Sequence, residues 1–180
     1  MNSLEGVMVV GLTGQTGAGK TTVCKIFSEN GFSIINADHV ARQVMEKGQP
    51  CLKEICEFFG KDILLENGIL DRPKLAGLVF TDKKKLELLN SITYPYITSE
   101  ILKTIRRLSF QGNKLILLDA PTLFESRADD FCELIISVIS RDNLRLERIV
   151  ERDKISRESA QYRMDCLLYT SPSPRDLSTS

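Results

Sequence analysis

Residues 14–21 read G-Q-T-G-A-G-K-T, three glycines around one cation, Lys20, with hydroxyls at Thr21 and Thr22. The spacing fits the phosphate-binding pattern G-x-x-x-x-G-K-[ST], the P-loop. Backbone N–H groups of Gly17, Ala18, Gly19, Lys20, Thr21 and Thr22 can turn inward around a phosphate, where larger side chains would obstruct the approach. A helix starting here adds the positive end of its dipole. Lys20 is placed to reach the β- and γ-phosphates, and the Thr21 hydroxyl to ligate Mg²⁺. The expected ligand is a nucleoside triphosphate.

Two carboxylates and a set of arginines extend the chemistry. Asp38 follows the apolar run "FSIIN", so it stands where a strand ends, the place where open parallel sheets bind ligands. A carboxylate there either accepts the proton of a substrate hydroxyl during phosphoryl transfer or caps the next helix, and spacing alone leaves both open. Asp119 ends "LILLD" as a Walker-B acid for Mg²⁺ would; the alternative is a turn residue before Pro121. Arg148, Arg152 and Arg157 lie on a charged helical stretch that either lines a lid over the polyphosphate or is simply solvated. His39 is the one histidine and is given no role. A guanine-reading N-K-x-D element is not visible after a later strand, and a motor ATPase would be longer. A small-molecule kinase using ATP fits best.

The elements that must hold these residues follow from periodicity. "VMVVGL" (7–12) reads as a buried strand, and "KTTVCKIFSEN" (20–30) as a helix with Val23, Ile26 and Phe27 on one face and Gly31 as its stop. "FSIIN" is a second strand running into a helix over 37–48. "CLKEICEFFG", "RPKLAGLVF", "KKKLELLNSI" and "YPYITSEILKTIRRLSF" read as separate helices, a helical excursion over about 50–110. Strands return at 113–121 and 134–140, followed by a charged helical stretch over 141–164. Strands alternating with helices imply a parallel sheet covered by helices. The fold class is therefore α/β, a P-loop NTPase-type three-layer sandwich with a helical substrate-binding insertion and a lid.

Composition fits this. The 180 residues suit one domain with an insertion, and 24 basic against 24 acidic residues give no net charge to draw nucleic acid or an acidic membrane. Five cysteines without CxxC spacing, beside one histidine, point to reduced thiols rather than a disulfide framework or zinc site. No run of about 18 apolar residues and no signal-like N-terminus is present, so a cytoplasmic protein is expected.

Five ordered segments, "GLTGQTGAGKTTV", "NADHVARQVMEKGQP", "LNSITYPYI", "LDAPTLFE" and "ERDKISRESAQYRM", resemble the dephospho-CoA kinase family, and the likeness runs from about residue 8 to 164. The resemblance implies ATP-dependent phosphorylation of the ribose 3′-hydroxyl of dephospho-CoA, the last step of coenzyme A synthesis. It makes Asp38 the catalytic base, Gly17–Thr22 the ATP-phosphate loop and Arg148, Arg152 and Arg157 lid residues, with Arg148 on the catalytic side. It places Arg42 on the acceptor side and makes the helical excursion a CoA-binding subdomain within a kinase domain over 7–165. Asn36 stands where the family usually has an acid, a position expected to support Asp38. Tyr94 precedes Pro95 where His-Pro is common, and Thr122 replaces Leu. Members continue past the lid with another strand and helix, whereas "CLLYTSPSPRDLSTS" (166–180) reads as a disordered or foreign tail. A missing strand is expected to leave a sheet edge exposed. The rival readings are a P-loop kinase of another small hydroxylated metabolite, nucleoside, nucleotide or shikimate-like, and a truncated fragment that binds ATP without transferring phosphate.

Overall fold

The computed structural model describes residues 6–168. Among the described residues, β1 (Met8–Gly14), β2 (Ser33–Asn36), β3 (Leu115–Asp119) and β4 (Leu134–Val138) form one parallel sheet in the order β2-β3-β1-β4. Continuous apolar runs form these strands because a parallel sheet buries both faces. On one face Val10, Leu12 and Leu117 pack against Val23, Cys24 and Phe27 of α1 (Lys20–Glu29). On the other face Gly11 leaves room for Leu123 and Cys132, since a Cβ there would come within 2.9 Å of each. β1 connects to β2 beyond β3 on one side, and β4 flanks β1 on the other. The carboxyl ends of β1 and β3 thus lie at a reversal of strand order, where α/β sheets place their ligands. β4 is an edge of the described sheet, and its Leu134 is 56% exposed.

The chain divides into two compact units, residues 1–36 with 105–180 and residues 37–104. The second is helical: α2 (Ala37–Val44), α3 (Pro50–Phe59), α4 (Arg72–Phe80) and the first part of α5 (Lys83–Phe110). Asp71 caps α4 by accepting from Lys74 N at 3.1 Å. Cys51, Leu52, Ile55, Ile63 and Ile92 are the centre of its core.

Two elements differ from the sequence reading. The separate helices expected over 83–92 and 94–110 are one 28-residue helix, α5, with Pro95 inside it. Ile92 before the proline and Ile97, Ile101 and Ile105 after it are all buried. That continuous apolar stripe outweighs the roughly 3 kcal/mol that an interior proline costs. The charged stretch over 141–164, read as continuously helical, is two helices, α6 (Asp142–Asp153) and α7 (Arg157–Leu168). Lys154 turns left-handed at φ 52°, and Ser156 caps α7 by accepting from Ser159 N at 3.1 Å. Leu146 and Ile149 of α6 pack on Ala160 and Met164 of α7. Of the expected tail, residues 166–168 belong to α7, and residues 169–180 lie outside the described residues.

Candidate active site

The loop between β1 and α1 has the shape its glycines allow. Gly17 sits at φ 78° and Gly19, the N-cap of α1, at φ 109°. A Cβ on Gly17 would stand 2.8 Å from the Arg145 carbonyl oxygen, so α6 packs against bare loop backbone. No side chain caps α1 and no acid occupies its first turn. Its leading amides therefore keep their positive end for an anion. Lys20 folds back over the loop, its Nζ donating to the Gly14 carbonyl at 2.9 Å. Thr21 and Thr22 are exposed at the first turn of α1.

α6 holds this loop from outside. Arg148 Nη1 donates to the carbonyls of Gly17 and Ala18 at 3.2 and 3.3 Å. Arg145, only 1% exposed, donates through Nε to the Thr16 carbonyl at 3.0 Å and through Nη1 to Asp142 at 2.8 Å. Arg145 lies in the charged stretch over 141–164 and has no role in the sequence reading. The signal was present: Arg145 shares its helical face with Leu146 and Ile149, both buried. Arg152 is instead engaged by Asp153, at 2.7 Å from Nε and 3.0 Å from Nη2, and Arg157 is exposed at the start of α7.

Asp119 closes β3 beside the loop. Its Oδ2 accepts from Asn36 Nδ2 at 3.2 Å, and its charge helps to raise the thiol of Cys24 on α1. Cys24 lies one turn after Thr21 on α1, so the Thr21 side of the helix faces the end of β3. A hydroxyl and a carboxylate are hard oxygen donors of the kind Mg²⁺ accepts. Among the described residues no three His, Cys, Asp or Glu side chains cluster as a metal cage. Mg²⁺ binds through one or two carboxylates with waters and substrate phosphates.

Burial and the Asp119 carboxylate push the Cys24 thiol up to about 11, and burial, with a smaller push from the Asp129 charge, raises Cys132 to about 12. These thiols stay protonated at neutral pH and act as packing groups.

Asp38 and Arg42 belong to the helical unit. α2 begins at Ala37, so Asp38 is inside the first turn rather than at the cap position, and it is exposed. Arg42 is exposed in the last turn, its carbonyl accepting from Arg72 Nη2 at 3.2 Å. The same unit contains a cavity of about 450 Å³ between Leu52, Lys53, Cys56, Lys61 and Leu64.

The dephospho-CoA kinase family model matches residues 8–171. The chain belongs to the dephospho-CoA kinase family. A dephospho-CoA kinase of Oryza sativa subsp. japonica is 41% identical over 160 residues, covering 89% of this chain and 70% of that protein. Among solved structures, a Thermus thermophilus protein superposes with a TM-score of 0.79 at 25% identity, over 97% of this chain and 85% of its own. A dephospho-CoA kinase from Campylobacter jejuni superposes with a TM-score of 0.62 at 29% identity, over 89% and 80%. The expected α/β P-loop fold is thus the fold of this family, and the segments that suggested it, over about 8–164, lie within the matched range. Among the described residues no helix is long and apolar enough to cross a membrane.

Within the family's segment "LDAPTLFE", Glu125 carries a stability cost. Its Oε1 is buried with no hydrogen-bond partner among the described residues, and burial raises its carboxyl above the ordinary range. The folded chain therefore holds a proton that the unfolded chain releases first, and stability falls as pH rises through the interval between the two values. Glu125→Gln is expected to remove this slope and to add about 1 kcal/mol near neutral pH. Urea unfolding at about pH 5 and about pH 8 measures it; equal slopes in both chains contradict it.

Proposed function

We propose that this chain transfers the γ-phosphoryl group of ATP to the 3′-hydroxyl of the dephospho-CoA ribose, producing coenzyme A and ADP in the cytoplasm. The observation that carries this reading is the phosphate loop: a glycine-shaped turn opening an uncapped helix, in a chain of this family.

ATP binds with its phosphates against Gly17, Ala18, Gly19, Lys20, Thr21 and Thr22. Lys20 leaves the Gly14 carbonyl, which it holds at 2.9 Å, for the β- and γ-phosphates. Thr21 and Asp119 would hold Mg²⁺, which would supply charge compensation at the phosphates. Asp38 orients the 3′-hydroxyl and takes its proton as the new oxygen–phosphorus bond forms and the bond to the β-phosphate oxygen breaks. Arg148 stands at the loop, where the charge of a loose transition state spreads over the γ-oxygens. Arg152 and Arg157 are the outer lid arginines over about 141–164, so Arg152 exchanges Asp153 for phosphate on closure. Catalysis is then mostly positioning and electrostatics.

The kinase domain covers 7–165, and its helical part over about 50–110, with Arg42, receives the acceptor. Leu52 and Leu64 beside Lys53 and Lys61 offer an apolar wall and two cations to a molecule with an apolar arm and a diphosphate. Residues 166–180 contribute nothing to the chemistry in this reading. An acceptor panel tests it: phosphate transfer to dephospho-CoA is expected to exceed transfer to nucleosides, nucleotides and shikimate by at least about 1,000-fold in kcat/KM. A preference for any of the others overturns the substrate assignment.

A further inference from the structure

β2 and β3 end side by side, and their parallel register pairs Asn36 directly with Asp119. Asparagine at a strand end ordinarily turns its side chain onto its own local backbone. Asn36 instead reaches across to the neighbouring strand, where Nδ2 donates to Asp119 Oδ2 at 3.2 Å. Asp119 is thus held by a neutral donor from the neighbouring strand, and Cys24, whose thiol feels its charge, lies one turn after Thr21 on α1.

We propose that Asn36 is a positioning residue for the divalent-cation site: its amide fixes the Asp119 carboxylate by one oxygen and leaves the rest of that group to the cation beside Thr21. The inference rests on the assignment of Mg²⁺ to Thr21 and Asp119. It also gives the departure at position 36 a physical meaning. An acid there would set a second carboxylate against Asp119 and remove the donor, whereas asparagine supplies the donor and adds no charge. Partners that orient a metal ligand through its other atoms have this effect generally, and removing one costs about 10- to 100-fold in metal affinity. Asn36 is expected from the sequence to support Asp38; its Nδ2 bonds the carboxylate at the end of β3.

The test is Mn²⁺ binding, followed by electron paramagnetic resonance, to the full chain with a non-hydrolysable ATP analogue, beside the Mg²⁺ dependence of the rate. Asn36→Ala and Asn36→Asp are both expected to weaken Mn²⁺ binding and raise half-saturating Mg²⁺ about tenfold, with a smaller loss of rate at saturating Mg²⁺. Asn36→Asp keeps the shape, removes the donor and adds a negative charge; that charge alone would tighten cation binding, so weaker binding by this variant reports the lost donor. Wild-type or tighter Mn²⁺ binding by Asn36→Asp overturns the proposal, as does unchanged binding by Asn36→Ala. Asp119→Ala separates the two layers: unchanged Mn²⁺ binding there overturns the metal site itself. A weakened Asn36 series in a chain that makes no CoA overturns the acceptor assignment and leaves Asn36 in its role.

Discussion

Asp38→Asn is expected to lower kcat by about 100- to 10,000-fold, the span that a positioned general base contributes. ATP affinity, measured by titration calorimetry, is expected to change by less than about twofold, because the phosphates bind to the loop at residues 17–22. The substitution keeps the side chain's shape and removes its capacity to accept a proton. The competing reading of Asp38 as a helix cap makes a different prediction. α2 begins at Ala37 and Asp38 is inside its first turn, where a negative charge favours the helix by about 0.3–1 kcal/mol. A purely structural Asp38 would therefore lower the melting temperature slightly and leave the rate alone. An unaltered rate removes Asp38 from the mechanism.

Lys20→Met is expected to act on both binding and rate. The lysine already lies against the loop, with Nζ 2.9 Å from the Gly14 carbonyl, so its stem needs little rearrangement to meet a phosphate. Methionine keeps much of the stem and removes the charge. A fixed donor aimed at developing charge is worth about 100- to 1,000-fold in kcat, and that loss is expected here. Stopped-flow ATP binding and steady-state rates separate the two effects. A change confined to ATP affinity would mean that Lys20 binds ground state and transition state equally, which contradicts its catalytic role. Lys20→Arg is not a rescue, because the planar fork cannot occupy the compact site of an ammonium.

The parts of this site that were legible in the sequence are local ones. The phosphate loop needs a fixed spacing of glycines and a lysine between a strand and a helix, so residues 8–29 announce it without help from the rest of the chain. The alternation of apolar strands and helices likewise gave the parallel sheet, and "LILLD" put Asp119 at the end of β3. What stayed hidden depends on contacts between distant residues. Pro95 reads as a helix break until Ile92, Ile97, Ile101 and Ile105 are seen buried on both sides of it. The Asn36–Asp119 bond joins residues 83 apart and follows from strand register, which no local pattern states. Arg145 was lost among neighbouring arginines because charge masked its place on an apolar helical face. The break at Lys154 had only a modest local mark, a serine at 156 three residues before Ser159.

The central claim is that the group transferred by this chain ends on the 3′-oxygen of dephospho-CoA. The most direct measurement incubates the purified chain with γ-labelled ATP, Mg²⁺ and dephospho-CoA, then locates the label by mass and phosphorus NMR. The expected result is equal amounts of ADP and CoA, with the label on the ribose 3′-phosphate and none transferred without Mg²⁺. A folded chain that binds ATP but leaves dephospho-CoA unphosphorylated, or labels it at another oxygen, contradicts it.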